Sequence, residues 1–195
     1  MKKNIIARQK KGISSMHLHD PKMIFKELDL KPGQTFLDLG CGAGDYALAA
    51  AGLVGEKGEV YAWDKWPEVA EKVKQKADSL QLTNIKTAAL DISGPLPLKD
   101  SCIDICFMST VLHIFDLEKT GPALFKEISR ILKPEGVLAV IEIKKEETPF
   151  GPPMPMRISP EELEQVLLPF CFKKLTCLDM EYTYLARFAL LRGND

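Results

Sequence analysis

The sequence is poor in the features that mark a membrane, secreted or zinc-binding protein. No apolar run approaches the length needed to span a bilayer, and the run behind Lys2 and Lys3, Ile5-Ile6-Ala7, is too short for the core of a signal peptide. Neither sign of charge is in excess, because 26 Lys and Arg stand against 27 Asp and Glu for a net charge of -1. That balance removes the electrostatic case for a nucleic-acid or anionic-membrane partner and points to a small-molecule acceptor or ligand. The five cysteines, Cys41, Cys102, Cys106, Cys171 and Cys177, contain no C-x-x-C pair. Their spacing speaks against structural zinc and suits reduced thiols buried in strands, so no metal site and a cytoplasmic location are expected. Internal repeats and low-complexity tracts are also absent. A chain of 195 residues with 46% hydrophobic content then suits one globular domain. Residues 1–19 are expected to form a mobile basic segment, and residues 20–195 the single domain.

What is present begins with a glycine loop. Phe36-Leu37-Asp38-Leu39 reads as a short buried strand, Gly40, Gly42 and Gly44 permit a turn that side chains would block, and the alanine-rich run from Tyr46 to Leu53 reads as a helix. The spacing is G-x-G-x-G, with Asp45 at the third-glycine position of a dinucleotide-binding loop. Asp38, two residues before the first glycine, would repel a pyrophosphate and attract an ammonium or sulfonium group.

The rest of the chain alternates strand and helix. Asp20-Pro21 opens a helix with Ile24, Phe25 and Leu28 on its apolar face, and Glu59 to Trp63 form a strand ending at Asp64. Val69, Val73, Ala77 and Leu80 recur at helical spacing, Ile85 to Leu90 form a third strand ending at Asp91, and Ile103 to Thr110 a fourth. A helix through Leu124, Ile128, Ile131 and Leu132 is stopped by Lys133-Pro134-Glu135-Gly136 ahead of a fifth strand, Val137 to Ile143. Such alternation predicts a parallel sheet wound on both faces, with ligands at the carboxyl ends of its strands. Asp38, Asp64, Asp91 and Ser109 to His113 all fall near those ends. The proline-rich stretch from Thr148 to Met156 cannot be regular, Ser159-Pro160-Glu161-Glu162 is a capping box, and two β-rich runs, Lys173 to Leu178 and Tyr184 to Leu191, close the chain as an antiparallel pair.

The succession Asp38-x-Gly40-x-Gly42-x-Gly44, Asp64, Asp91-Ile92, Asp104, Ser109-Thr110-Val111-Leu112-His113 and Leu132-Lys133-Pro134-Glu135-Gly136 resembles the class I S-adenosylmethionine-dependent methyltransferases over residues 20 to 190. The likeness is to the small-molecule branch that contains the quinone-biosynthesis and arsenite enzymes. It implies a Rossmann-like α/β fold with a doubly wound sheet of seven strands, six parallel and one antiparallel closing strand, with helices on both faces. It also implies S-adenosyl-L-methionine as cofactor. Asp38 and the loop backbone from Gly40 through Cys41 and Gly42 to Gly44 would hold its amino-acid end, and Asp64 the ribose. Asp91 and Ile92 would meet the adenine, whose face Lys65 or Trp66 could cover. Ser109 would lie beside the methyl group.

Ser109-Thr110-Val111-Leu112 lacks the Asn/Asp-Pro-Pro-aromatic motif of enzymes that methylate exocyclic amines, and Cys106 has no proline before it. Base methylation is therefore disfavoured, while the thiols Cys102 and Cys106 are read as buried rather than arsenic-binding. Thr110, His113, Phe150, Met154 and Arg157 are the acceptor-pocket candidates, with Arg157 available to an acidic acceptor. An imidazole has an ordinary pKa near 6.5, so His113 is the candidate catalytic base, with Asp116 near enough in sequence to orient it. The competing role for His113 is a backbone hydrogen bond or simple pocket lining, and His17 and His19 could replace it only if the N-terminal segment folds over the site. Two other classes remain open at this level: a nicotinamide-dependent reductase, and a non-catalytic cofactor-binding protein.

Overall fold

The computed structural model describes residues 14–191. Helix α1 spans Pro21–Leu28, with Asp20 capping it by accepting the Lys22 N–H at 2.9 Å and with Ile24 and Leu28 buried. Seven strands follow: β1 (Thr35–Leu39), β2 (Glu59–Asp64), β3 (Ile85–Ala89), β4 (Ile103–Ser109), β5 (Leu132–Ile143), β6 (Phe172–Asp179) and β7 (Thr183–Leu190). They form one sheet in the order β3-β2-β1-β4-β5-β7-β6, in which β7 runs antiparallel to both neighbours and the other pairs are parallel. This is the seven-stranded arrangement expected from the sequence.

Strand alternation sorts the side chains onto two faces. Phe36, Ile105, Phe107, Ala139, Ile141 and Leu185 pack with α1 and with α2 (Asp45–Val54) and Val73 of α3 (Pro67–Ser79). Leu37, Leu39, Cys106, Met108, Leu138, Val140 and Tyr184 pack with α4 (Leu117–Ile131) and α5 (Pro160–Leu167). The connection from β1 leads to β2 on one side, and the chain returns to β1's other side through β4, so the sheet's topological switch lies between the carboxyl ends of β1 and β4.

Several boundaries differ from the sequence reading. Strand β3 ends at Ala89, because the Leu90 N–H turns to donate to Asp64 O at 2.8 Å and Asp91 enters a turn with Ser93. The Lys133-Pro134-Glu135-Gly136 stretch does end α4, but it also bulges β5: Leu132 pairs with Ile103, and pairing resumes only at Val137 with Ile105. Cys171 and Cys177 are exposed and Cys102 only half-buried rather than buried, whereas Cys41 and Cys106 are buried as expected. Of the N-terminal segment 1–19, residues 14–19 are described and include a short 3-10 turn, Met16–Leu18, flanked by Ser15 and His19, which hydrogen-bond to the domain; residues 1–13 lie outside the described residues.

Candidate active site at the carboxyl edge of the sheet

The glycine loop is built against its neighbours from both directions. Gly40 has φ +78, and a Cβ there would lie 2.6 Å from Val111 Cγ2, so only glycine allows the β4 exit to close on the loop. Gly40 and Cys41 donate their backbone N–H groups to Trp63 O at 2.8 and 2.9 Å, and Gly42 donates to Asp64 Oδ2 at 3.1 Å. Trp66 N–H donates to the other oxygen of Asp64 at 3.1 Å. Asp64 thus joins the end of β2 to the loop and still has lone pairs to offer a ligand.

Asp38 lies beneath this loop at 2% exposure. One hydrogen bond comes from the Ala47 backbone, while Oδ2 has no partner among the described residues. Burial, helped by the nearby Asp64 carboxylate, pushes the Asp38 carboxyl up to about 8 against the Ala47 N–H, which favours the charged form. The same environment pushes the Cys41 and Cys106 thiols up, chiefly by burial. A buried carboxyl with one oxygen unbonded and a second carboxylate beside it is a place where positive charge is missing.

Farther along the edge, Asp91 is exposed, and its Oδ1 accepts from Ser93 N at 3.0 Å and Ser93 Oγ at 2.7 Å, bonds that hold it below the usual carboxylate range. Ile92 is buried in the core, and Lys65 Nζ lies 4.9 Å from the centre of the Trp66 ring. Lys65 and Trp66 follow the carboxyl end of β2, and Asp91 and Ile92 that of β3, the edge that also carries Asp64.

The exit of β4 carries the second half of the site. Thr110 has φ +55, an unusual conformation for a β-branched residue, and it donates its N–H to Ile141 O at 2.7 Å. The following 3-10 turn, Leu112–Ile114, places the His113 ring beside Glu142 of β5, with Nδ1 3.0 Å from Glu142 Oε2. Glu142 is 1% exposed, and its Oε1 accepts the N–H groups of Leu112 at 2.7 Å and His113 at 3.3 Å. His113 Nε2 has no hydrogen bond among the described residues.

This pairing corrects the role expected of Asp116, which is exposed and bonds Lys119 Nζ at 2.6 Å instead. Glu142 escaped the sequence reading. Its only signal was an acid inside the otherwise apolar run Val137 to Ile143.

Arg157 turns its guanidinium back onto its own loop. It donates to the carbonyls of Pro152 (2.8 Å), Lys144 (3.0 Å), Glu146 (2.6 Å) and Phe150 (3.3 Å), and to Thr148 Oγ1 (2.9 Å). These bonds tie the proline-rich connection into one piece, while Nη2 makes a single bond with its two hydrogens among the described residues. Phe150 packs edge-on against Tyr182 at 5.2 Å, which leaves Met154 and Met156 as the exposed apolar groups of that loop.

On the opposite face of the edge, Ser15 Oγ lies 2.6 Å from Ser109 Oγ. His19 bridges Tyr46 OH (2.7 Å from Nδ1) and Thr183 Oγ1 (2.9 Å from Nε2). Burial, with His17 adding to it, lowers the His19 imidazole to about 4, and burial raises the Tyr46 phenol. A separate cleft of about 190 Å³ opens at the amino ends of the strands, lined by Gln34, Asp104, Lys133 and Arg187 among others, and shares no residue with the loop. Among the described residues no cluster of His, Cys, Asp and Glu could hold a metal ion, and no helix is long and apolar enough to cross a membrane.

Comparison with known proteins agrees with this construction. A family described as "Methyltransferase domain" matches residues 30–182. A solved SAM-dependent methyltransferase from Aquifex aeolicus is 31% identical, with a TM-score of 0.82 over 90% of this chain and 92% of that one. The 2-phytyl-1,4-naphtoquinone methyltransferase of Trichormus variabilis is 33% identical over 129 residues, 64% of this chain and 53% of that protein. The demethylmenaquinone methyltransferase of Bacillus mycoides is 32% identical over 126 residues, 62% and 49% respectively. The chain belongs to the class I S-adenosylmethionine-dependent methyltransferases. It spans about half the length of the curated relatives it matches.

Proposed function

We propose that this chain transfers a methyl group from S-adenosyl-L-methionine to a small-molecule acceptor, with His113 taking the proton that the acceptor releases. The observation that carries the cofactor assignment is Asp38, whose buried Oδ2 lacks a donor while Asp64 stands nearby. That pair of carboxylates suits the ammonium of a methionine moiety and opposes the pyrophosphate of a nicotinamide dinucleotide. When bound, the cofactor supplies an electrophilic methyl group on a sulfonium centre. Asp38 and the backbone of Gly40 to Gly44 would hold its amino-acid end, Asp64 its ribose, and Asp91 with Ile92 its adenine, beside Lys65 and Trp66.

The protein's remaining tasks are orientation, exclusion of water and handling of one proton. A carboxylate only accepts hydrogen bonds, so Glu142 keeps the hydrogen of a neutral His113 on Nδ1 and leaves the Nε2 lone pair as the base. The two backbone N–H groups on Glu142 Oε1 stop the carboxylate from turning away. Thr110 and Ser109 would line the approach, and Met154 and Met156 offer adaptable apolar contact to an acceptor. A small acceptor is supported by the near-zero net charge, and two of the relatives are by name methyltransferases of naphthoquinone and menaquinone-type compounds.

Calorimetry with S-adenosylmethionine and with NAD, followed by mass spectrometry of a panel of small acceptors, tests this reading. Saturable binding of the first ligand alone, with an acceptor gaining one methyl group, is the expected result. Binding of NAD, or cofactor binding without methylation of any acceptor, favours the reductase or the non-catalytic alternative.

A further inference from the structure

Residues 14–19 contribute no buried side chain of their own, yet they cross the carboxyl edge of the sheet on hydrogen bonds to three separate elements. Ser15 meets Ser109 at the end of β4, and His19 meets both Tyr46, the second residue of the helix that follows the glycine loop, and Thr183, the first residue of β7. Ser109, Tyr46 and Thr183 lie on the same face of the sheet as Asp38, judged by the alternation that puts Phe36, Phe107 and Leu185 there. The segment therefore spans the mouth from the glycine-loop side to the β7 side.

We propose that His19 is a positioning residue that pins this segment as a strap across the cofactor site, so that the strap opens and closes with cofactor exchange. The chemistry of the pin suits a reversible fastening. A neutral imidazole offers one donor and one acceptor, each hydroxyl offers both, and all three groups are satisfied together without a charge. The lowered His19 pKa, to about 4, keeps the ring neutral through the physiological range. No apolar anchor opposes release, because the Met16–Leu18 turn buries none of its residues, and Met16 only packs at the margin of the core. A segment held by a few polar contacts belongs to the low-stability end of local opening. Tyr46 is the link to the site: it is buried and packed edge-on against Phe107, and its hydroxyl meets His19 while also lying within hydrogen-bonding reach of Ser15 and Ser109.

This inference rests on the cofactor reading above, and its test separates the two. Hydrogen exchange of the backbone amides of residues 15–19 is measured in the full chain with and without S-adenosylhomocysteine, alongside the dissociation rate of the radiolabelled compound. In the wild type, ligand should slow exchange of these amides at least tenfold. His19→Phe, which fills the volume but makes neither bond, should abolish that protection and speed dissociation about tenfold, and His19→Gln should restore part of both. A variant that lowers the melting temperature but leaves dissociation and strap protection as in the wild type overturns the proposal. So does wild-type protein that binds the ligand with no change in strap exchange. Wild-type protein that binds no ligand overturns the cofactor reading and this proposal together.

Discussion

The two faces of the sheet arrive at its carboxyl edge with different chemistry, and each brings a histidine. On the α4 and α5 face, His113 bonds a buried carboxylate through Nδ1 and keeps Nε2 unbonded among the described residues. On the α1 and α2 face, His19 uses both ring nitrogens on neutral hydroxyls. The contrast decides which imidazole can act on a proton. A ring held by a carboxylate through one nitrogen keeps the lone pair of the other, whereas a ring whose two nitrogens are both engaged has no lone pair to give. Burial without a nearby carboxylate partner also lowers His19 to about 4, so any proton it took would be lost readily.

The largest expected effect falls on His113. His113→Gln should reduce turnover by roughly a hundredfold while leaving cofactor affinity nearly intact, and should abolish the acidic limb of the pH–rate profile. If His19→Gln lowers turnover as much as His113→Gln does, the distinction between the two faces fails. Glu142→Gln comes next. An amide side chain can turn its NH2 toward the ring and favour the wrong tautomer, so turnover should fall by about tenfold or more in steady-state kinetics even where the fold is retained. Normal kinetics in that variant would leave Glu142 with a purely structural part.

Asp38→Asn sharpens the second face. Loss of the charge should weaken cofactor binding by about 1.5 to 3 kcal/mol in calorimetry. The ligand-free protein should behave in the opposite sense. The folded Asp38 carboxyl titrates near 8 against 3.8 ordinarily, so the folded state holds a proton that the unfolded state releases, and stability falls as pH rises between those values. Removing the group should make the variant more resistant to heat than the wild type at the upper end of that window, and a melting series across pH 4 to 8 would read the difference. The smallest effect belongs to Thr110, where the two faces meet. A threonine at φ +55 costs about 1–2 kcal/mol, partly offset by the roughly 0.5–1 kcal/mol that glycine loses in chain entropy. Thr110→Gly should therefore raise stability by about 0.5 kcal/mol in denaturant unfolding, while the loosened turn lets His113 leave Glu142 and lowers turnover.

Local pattern made much of this legible. The glycine loop, Asp64 at the end of β2 and the alternation of strands with helices along the chain follow from period, turn residues and strand-end acids, because those signals are written in neighbouring residues, whereas the seven-stranded arrangement came from the resemblance. Partners distant in sequence were not written that way. Glu142 meets His113 across 29 positions, and nothing near His113 in the chain pointed to it except Asp116, which proved to hold Lys119. Arg157 looked like a free cation because its partners are carbonyls, which every residue has and no pattern marks. The contacts of Ser15 and His19 were equally illegible, because polar composition does not mark which serine or histidine of a segment will meet a hydroxyl distant in sequence.

Ring-nitrogen NMR on protein labelled with 15N-histidine tests the central claim most directly, since the chain has only three histidines. With S-adenosylhomocysteine bound at neutral pH, the account predicts that His113 carries its hydrogen on Nδ1 and shows an unprotonated Nε2, and that Glu142→Gln changes this signature. A neutral His113 with its hydrogen on Nε2, indifferent to Glu142→Gln, would contradict it.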